Sequence, residues 1–375
     1  MRAWRFYDFG DMRLDEVPMP VCGPGDVLLK VRVVQPSVTE AILASGRETI
    51  AYQRAQERMR DAPVQLFGHE YCADVVATGD GVERIQVGDR VVGHSILPCA
   101  ECELCRAGHS SWCRSGPMFG FDLPGCFAEY SVCPEHGVVA IPDVLSDYEA
   151  ACVQPAAECV ASVQSARIER GDSVVVIGQG AMGIYSMQAA RNTLADQVIA
   201  VDVRPRPLEI AKALGADHCV NAASTDAVSA VKELTGGPPA LSITTSAPRE
   251  GLAGSATVEQ SFEMVRHCGR VVINSLIPGM TGIDFIKWRT RSVELIFPQI
   301  ADLSHLSTAA LMVAQGRLQI DPLVSHAVWG LQNAPLAFEI TAEKARYGAT
   351  GPCQIVVDTE SVPTHRAVQH EPAPA

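Results

Sequence analysis

The segment SVVVIGQGAMG, at positions 173–183, decides the fold of the second half of the chain. A run of β-branched residues typical of a buried strand leads into Gly178, Gly180 and Gly183, and a helix-forming stretch follows. The G-x-G-x-x-G pattern alone is weak, but its place between a strand and a helix predicts a dinucleotide-binding turn. The first glycine permits a tight turn, the second lets the backbone approach a pyrophosphate, and the third lets helix and strand pack closely.

Asp202 ends the next predicted strand, VIAVD, 19 residues after Gly183. A carboxylate there accepts hydrogen bonds from the adenosine ribose and repels a 2′-phosphate, so the sequence favours NAD over NADP as cofactor. Arg204 lies close behind and could soften that preference. The alternative is a glycine-rich turn with a capping aspartate. It is disfavoured because the glycine pattern, its place between a strand and a helix, and Asp202 occur together. The predicted cofactor site comprises Gly178, Gly180, Ala181, Met182, Gly183, Asp202 and Arg204.

Strands and helices alternate from residue 173 to residue 276, which predicts an α/β fold with a doubly wound parallel sheet. Residues 1–150 instead contain several short β-branched runs bounded by Gly, Pro and Asp, which favour a barrel or a folded sheet. The last predicted strand, CQIVVD at 353–358, is expected to return to this first domain. The Pro-rich, polar end of the chain, 358–375, is predicted to be a disordered tail.

Composition limits the classes of function. The chain has 375 residues, of which 47% are hydrophobic and 19% charged, and this predicts two folded domains. Its formal net charge of −13 would repel phosphate backbones and anionic lipid, so nucleic acid and membranes are poor candidate partners. The sequence shows neither an apolar segment of secretory type nor 18 uninterrupted apolar residues. With 13 cysteines in such a chain, we expect a cytoplasmic protein that uses cysteine as thiol or metal ligand.

Four cysteines form a C-x2-C-x2-C-x7-C pattern, at Cys99, Cys102, Cys105 and Cys113. Thiolates with this spacing can converge on one tetrahedral metal ion, and zinc is the usual choice for four sulfurs. Because four protein ligands leave no open coordination position, the predicted zinc is structural. An iron–sulfur cluster and incidental thiols are the alternatives.

The order of these features resembles zinc-dependent medium-chain alcohol dehydrogenases of the polyol and threonine dehydrogenase type. The features are a strand-rich N-terminal part, the GHE sequence at Gly68–Glu70, the four-cysteine lobe, GQGAMG and Asp202. The resemblance implies a substrate and a catalytic zinc in a cleft between two domains. Those domains would be a GroES-like, β-rich catalytic domain at 1–154 and 297–357, with its structural zinc lobe at 95–115, and an NAD-binding Rossmann domain at 155–296.

The resemblance also implies the candidate catalytic residues, which are Ser37, Thr39, Glu40, His69 and Glu70. In the family, a Cys after an early strand, the His of GHE and a third residue near the domain junction hold the catalytic zinc. His69, Glu70 and Gln154 match candidate ligands, but Ser37 occupies the Cys position, and a hydroxyl is a poorer zinc ligand than a thiolate. Thr39 matches the hydroxyl that relays the substrate proton, and Glu40 stands where an Asp is usual.

Three interpretations of Ser37 stay open. His69, Glu70 or Gln154 and water could hold a zinc, with Ser37 or Glu40 assisting. Hydride chemistry could persist without zinc, with His69 or Glu70 as acid or base. All chemistry could also be lost. Buried thiols could in principle supply a substitute thiolate, although inert burial is their commoner fate; they are Cys72, Cys126, Cys152 and Cys159.

The implied function is hydride transfer between NAD(H) and a small alcohol or ketone. A family member without catalytic zinc could instead reduce an activated C=C or C=N bond, and a catalytically retired one would only bind NAD. The resemblance further implies a homodimer or homotetramer, with strands at 293–297 and 270–276 that could pair across the interface.

Overall fold

A computed structural model describes residues 1–49, 51–244, 254–276 and 284–363 of the chain. These residues belong to two units, which we call the strand-rich unit and the parallel-sheet unit. The first comprises Met1–Ala157, Ala301–Ala314 and the chain from Ile320 on, and the second comprises Glu158–Ile300 and Gln315–Gln319. No helix within the described ranges is long and apolar enough to cross a bilayer.

The first half of the chain builds most of the strand-rich unit from short elements. In chain order they are β1 (Arg2–Asp8), β2 (Asp11–Glu16), β3 (Asp26–Gln35), α1 (Val38–Ala44), α2 (Tyr52–Arg58), β4 (Glu70–Thr78), β5 (Arg90–Gly93), α3 (Glu103–Arg106), β6 (Tyr130–Pro134), β7 (Val138–Ala140), α4 (Asp147–Ala151) and α5 (Val153–Ser165).

Strands and helices then alternate through the parallel-sheet unit. They are β8 (Ser173–Ile177), α6 (Ala181–Arg191), β9 (Gln197–Asp202), α7 (Pro205–Ala213), β10 (His218–Asn221), α8 (Ala227–Leu234), β11 (Leu241–Thr244), α9 (Gly254–Met264), β12 (Arg270–Ile273), α10 (Phe285–Thr290) and β13 (Glu294–Ile296). The remaining elements are α11 (Leu303–Ala314), β14 (Ala327–Trp329), α12 (Ala334–Ala342), α13 (Lys344–Tyr347) and β15 (Gln354–Val356).

Strand β3 is central to the strand-rich unit. It pairs antiparallel with β4, β6 and β15 in a sheet of order β14-β15-β3-β4-β5-β7. Its alternate residues Val27, Leu29 and Val31 are buried, as the two-residue period of a strand requires. They join a core that includes the aromatic side chains of Phe6 and Phe67. Strand β15 returns to this sheet as the sequence predicts, whereas the N-terminal hairpin of β1 and β2 was not predicted.

The parallel-sheet unit has six strands in the order β10-β9-β8-β11-β12-β13, and every neighbouring pair is parallel. The runs 174–176 and 198–200 have no exposed surface, as expected for strands covered on both faces. The first strand of the series, β8, lies inside the sheet, and the order reverses beside it, as in dinucleotide-binding sheets. This confirms the predicted α/β, doubly wound fold. The predicted run LSITTS continues beyond Thr244 into residues outside the described ranges.

Two predictions about the chain's ends and edges are wrong. The tail was predicted from residue 358, but Asp358 Oδ2 lies 2.7 Å from Lys30 Nζ, Val362 is buried, and Pro363 O accepts a 3.0 Å hydrogen bond from Tyr148. These partners lie far away in sequence, so local composition could not indicate them; residues 364–375 lie outside the described part of the chain. The second concerns the predicted strand 270–276, since β12 at Arg270–Ile273 already pairs with β11 on one edge and β13 on the other and so offers no open edge to a second subunit.

A short segment after α11 joins the parallel-sheet unit although no sequence signal indicated it. Gln188 donates from Nε2 to Gln319 O at 3.0 Å and accepts at Oε1 from Gln319 N at 2.8 Å. Arg317 Nε donates to Asn192 Oδ1 at 2.9 Å. These bonds attach 315–319 to the end of α6.

Candidate active site and cysteine lobe

A left-handed turn places His69 before β4. Phe67 and Gly68 have φ of +68° and +86°, and a Cβ on Gly68 would lie 2.6 Å from Cys126 N. Only glycine fits this approach, and Cys126 N donates to Gly68 O at 2.9 Å. A bulky residue at positive φ is strained, so the turn persists because its surroundings hold Phe67 in the core. Gly68 of the GHE sequence therefore allows the backbone turn that positions His69.

Glu40 joins this turn to α1. Its carboxylate is fully buried and accepts three hydrogen bonds: Oε2 from Ser37 N at 2.9 Å, and Oε1 from Gly68 N at 2.9 Å and His69 Nδ1 at 2.7 Å. Because a carboxylate only accepts, Nδ1 of His69 carries the proton in this pair. The tautomer and orientation of the imidazole are thereby fixed.

Ser37 is the N-cap of α1. Its Oγ accepts a 3.1 Å hydrogen bond from Glu40 N, and with the Glu40 carboxylate on Ser37 N this completes a capping box. Such a cap satisfies two N–H groups that a helix end leaves unpaired. The pattern Ser-x-x-Glu at 37–40 is the sequence signature of this motif, and it could have identified the role of Ser37 without a structure.

Glu70 follows His69 in the chain, at the start of β4, and its carboxyl group is bonded to a chain of side-chain amides. Gln35 Nε2 donates to Glu70 Oε2 at 2.5 Å, and Gln35 Oε1 accepts from Gln354 Nε2 at 2.9 Å and from the Cys152 thiol at 3.3 Å. Burial raises the pKa of Glu70 to about 7, although His69 and the Gln35 hydrogen bond both act to lower it. Sequence reasoning missed Gln35 and Gln354 and considered Cys152 only as a substitute thiolate, because these partners lie up to 319 positions apart in the chain.

The other predicted residues lie in the first turns of helices or in the core. Thr39 is half-buried in the first turn of α1, and Gln154 is buried in the first turn of α5. Burial raises the pKa of Cys72 and of Cys126 well above the usual range for a thiol, and that of Cys159 to about 12. Such thiols stay protonated near pH 7, which suits inert core residues rather than metal ligands.

The structure allows a direct test of whether this pocket fits a catalytic zinc. Among the residues that it describes, one group of three or more His, Cys, Asp or Glu side chains has donor atoms within 4.8 Å of one another, and that group is the four cysteines. Near His69 and Glu70, Ser37 Oγ already serves the helix cap. The described residues therefore do not fit a zinc ion with three strong protein ligands at this place.

The four-cysteine lobe fits a metal ion closely. Sγ atoms of Cys99 and Cys105 lie 3.9 Å apart, as do those of Cys102 and Cys113. Sulfurs 2.3 Å from a tetrahedral zinc would be about 3.8 Å apart. Backbone N–H groups also point at the sulfurs, with Cys102 N 3.3 Å from Cys99 Sγ and Cys105 N 3.4 Å from Cys102 Sγ.

Cys113 shows what those N–H groups do. Burial opposes ionisation of its thiol, but hydrogen bonds from the backbone of Cys99, Ser115 and Gly116 outweigh burial and lower its pKa to about 6. Gly116 N lies 3.2 Å from Cys113 Sγ. These backbone N–H groups thus stabilise the thiolate of Cys113, which is the form that binds zinc.

The glycine-rich turn follows β8. Gly178 has φ of +90° and its N–H donates to Val201 O at 2.7 Å, while Gly180 is the N-cap of α6 without a side-chain cap. A Cβ added to Gly180 would meet no described atom within 4 Å, so there is open space over the helix start. Gly183 is buried in α6. A pyrophosphate needs this combination of space and N–H donors.

Asp202 closes the turn from the end of β9. Its Oδ2 accepts from Gln179 N at 2.6 Å, and its Oδ1 accepts from Arg204 N at 2.9 Å. Arg204 Nε lies 3.4 Å from the same Oδ1, and its side chain is 46% exposed. The carboxylate is thus fixed in the turn, while the guanidinium can reach solvent. The turn therefore fits a bound dinucleotide.

Each of the two units contains a segment that matches a known protein family. Residues 23–143 match the family model described as an alcohol dehydrogenase GroES-like domain, and residues 181–297 match that of a zinc-binding dehydrogenase. L-threonine 3-dehydrogenase from Pyrococcus abyssi is 32% identical over 347 residues, which cover 90% of this chain and 93% of the relative. The chain belongs to the zinc-dependent medium-chain dehydrogenase/reductase family. It is accordingly an NAD(P)-linked oxidoreductase with the GroES-like and Rossmann architecture of that family.

Solved structures of the medium-chain family give the same result. A putative zinc-binding dehydrogenase from Sinorhizobium meliloti bound to NADP has a TM-score of 0.83 at 28% identity, covering 95% of this chain and 98% of that one. The alcohol dehydrogenase TADH from Thermus sp. has a TM-score of 0.80 at 26% identity, covering 95% and 100%. In such a zinc-binding family, the four-cysteine cluster could hold a structural zinc.

Proposed function

We propose that this medium-chain dehydrogenase transfers hydride between NAD(H) and a small alcohol or the corresponding ketone. The observation that carries the proposal is the turn after β8, where Gly180 leaves open space at the start of α6 and Asp202 stands at the end of β9. Relatives named for the oxidation of threonine suggest a small, polar alcohol. The bound nicotinamide would supply the hydride acceptor or donor.

The chain's own residues would handle binding and the proton. Thr39 is proposed to donate a hydrogen bond to the substrate oxygen and to pass its proton on. His69, with Nδ1 held by Glu40 at 2.7 Å, presents its other ring nitrogen in one defined tautomer, and it or Glu70 is proposed as acid or base. Cys99, Cys102, Cys105 and Cys113 would hold a zinc that stabilises their loop.

NAD(H) is proposed as the preferred cofactor because the Asp202 carboxylate is fixed where a 2′-phosphate would approach. NADH and NADPH should be titrated while the enhancement of their fluorescence is recorded. Wild-type protein should bind NADH at least about tenfold more tightly, and Asp202→Asn should reduce that ratio to near one. Asp196→Asn, at an exposed position, is the matched control and should change neither affinity. Equal or tighter NADPH binding by wild-type protein would contradict the preference, and binding of neither nucleotide would contradict the function.

A second candidate is the reduction of an activated C=C or C=N bond. The use of Ser37 as a helix cap favours it, because such bonds need a proton donor rather than a Lewis acid. Parallel assays with NADH and either small ketones or activated alkenes and imines separate the two. Turnover confined to alkenes or imines would replace the first candidate, and NADH binding without any turnover would indicate a catalytically retired protein.

We also propose that the protein forms a homodimer through the parallel-sheet unit. Strand β13 ends the described sheet with one edge unpaired, and Phe297, Phe285 and Ile286 nearby are each more than 70% exposed. A flat edge with exposed apolar residues favours association with a second strand. Light scattering during gel filtration should give twice the mass of 40.1 kDa, and Phe297→Ser should shift it toward the monomer.

A further inference from the structure

We infer that this chain holds one zinc ion, in the four-cysteine lobe, and that the pocket around His69 is a metal-free polar site closed by its own hydrogen bonds. The inference deepens the proposed function and rests on it only for the pocket's part in hydride transfer. It rests on the side chains that surround His69, each of which already has a partner or lacks the charge that a zinc ligand needs.

Ser37 is the first of these side chains. Its Oγ and its N–H are both used in the capping box with Glu40, at 3.1 and 2.9 Å. Binding a metal would make the Oγ lone pairs serve both the metal and the N–H of Glu40, which weakens a helix cap whose complete loss costs about 1 kcal/mol. A neutral hydroxyl gives little in return, because zinc prefers thiolate, imidazole and carboxylate.

Glu40 and Glu70 are the carboxyl groups of the pocket. The carboxylate of Glu40 accepts hydrogen bonds from three donors, one of which is His69 itself. It therefore positions the imidazole, and binding a metal would cost it one of these bonds. Glu70 has one oxygen, Oε2, bonded to Gln35, which two further hydrogen bonds, from Gln354 and Cys152, hold in place, so Glu70 could offer a metal at most its Oε1. Gln154 is neutral. The set that remains offers a zinc one imidazole and one carboxylate, compared with four thiolates in the lobe.

Among the described residues, neither Cys152 nor Cys72 completes the set, and the thiol of Cys126 is buried and has its pKa raised well above its usual range. Cys152 Sγ donates to Gln35 Oε1, and Cys72 Sγ lies 3.6 Å from Asp147 Oδ1. Neither belongs to a group of three donors within 4.8 Å in the part of the chain that the structure describes. Ser37, which is linked to His69 through Glu40, stands at the position where the resemblance expects a thiolate ligand.

Zinc content per chain tests the inference on the intact protein. Purified wild-type protein, dialysed against zinc-free buffer, should contain one zinc by elemental analysis. His69→Ala should still contain one, and Cys102→Ser should lose it. Two zinc ions in wild-type protein that fall to one in His69→Ala would overturn the inference.

The reverse substitution tests the role of position 37. Ser37→Cys should raise zinc content from one to about two per chain after incubation with zinc, whereas Ser37→Ala should stay at one. A sulfur can keep the helix cap, as Cys102 does for α3 by accepting from Cys105 N. If Ser37→Cys stays at one, the lack of metal is not due to Ser37 and that attribution is wrong. NADH binding by the same samples reports on the proposed function separately, since the glycine-rich turn lies in the other unit.

Discussion

Replacing Glu40 by Gln tests the arrangement on which the candidate active site depends. The substitution keeps the shape of the side chain and removes its charge. If the new NH2 group takes the place of Oε2, it faces Ser37 N–H, and one of three hydrogen bonds is lost. If it takes the place of Oε1, the bonds from Gly68 and His69 are both lost, so the first orientation should be adopted.

The expected magnitude follows from those contacts. A buried N–H left unpaired costs about 1–3 kcal/mol, and the two remaining bonds change from charge-assisted to neutral at about 1 kcal/mol each. The neutral amide avoids the cost of burying a charge, and this offsets part of the loss. The net destabilisation should be about 2–4 kcal/mol. The hydrogen bond from His69 to Oε1 remains but is no longer charge-assisted, so the imidazole is held less firmly, and kcat/KM should fall by about 10-fold if His69 acts as acid or base.

The assay is unfolding in urea near pH 7, combined with hydrogen exchange of a peptide that contains Gly68 and His69. Glu40→Gln should unfold at lower urea and exchange faster at that peptide. Glu48→Gln is the matched control, because Glu48 lies in the same region and is exposed, and it should change stability by less than about 0.5 kcal/mol. If the two variants behave alike, the Glu40 carboxylate is not the buried acceptor described above and the reasoning fails.

Three further predictions concern the strand-rich unit. Gly68→Ala should destabilise the protein by about 3 kcal/mol or more, because its Cβ would lie 2.6 Å from Cys126 N. Gly81→Ala is the control, since Gly81 also has positive φ but open space around it, and it should cost about 1 kcal/mol. Equal losses of stability in urea unfolding would refute the clash. Asp147→Asn should cost about 3 kcal/mol at pH 7, because Asp147 is buried and accepts from two arginines. Those arginines hold the pKa of Asp147 below its usual value despite burial, so its contribution to the free energy of unfolding is present above about pH 4. The difference in stability between wild-type protein and Asp147→Asn should therefore shrink as pH falls further, and a difference that does not change with pH would count against the ion pairs. Glu70 has its pKa raised to about 7, so wild-type stability should fall by up to about 3 kcal/mol as pH rises from about 4.5 to 7, and Glu70→Gln should lack that slope.

Local sequence patterns predicted much of the candidate site. The four cysteines lie within 15 residues, and short spacing alone limits how far apart their sulfurs can be. The glycine-rich turn and Asp202 follow from the order strand, glycine, helix, strand, and in the structure Asp202 bonds the backbone of that turn. The Ser-x-x-Glu pattern at 37–40 is a local signal of the same kind, and the structure shows the capping box that it predicts.

The sequence by itself determined the α/β class, the cysteine lobe and the cofactor turn, because each depends on residues close together in the chain. Tertiary structure alone decided the surroundings of His69. Gln35, Cys152 and Gln354 meet at the ends of strands and helices that are adjacent only after the sheet around β3 has formed. Hydrogen bonds are satisfied by whichever groups folding brings within about 3 Å, and no local pattern encodes a partner hundreds of residues away.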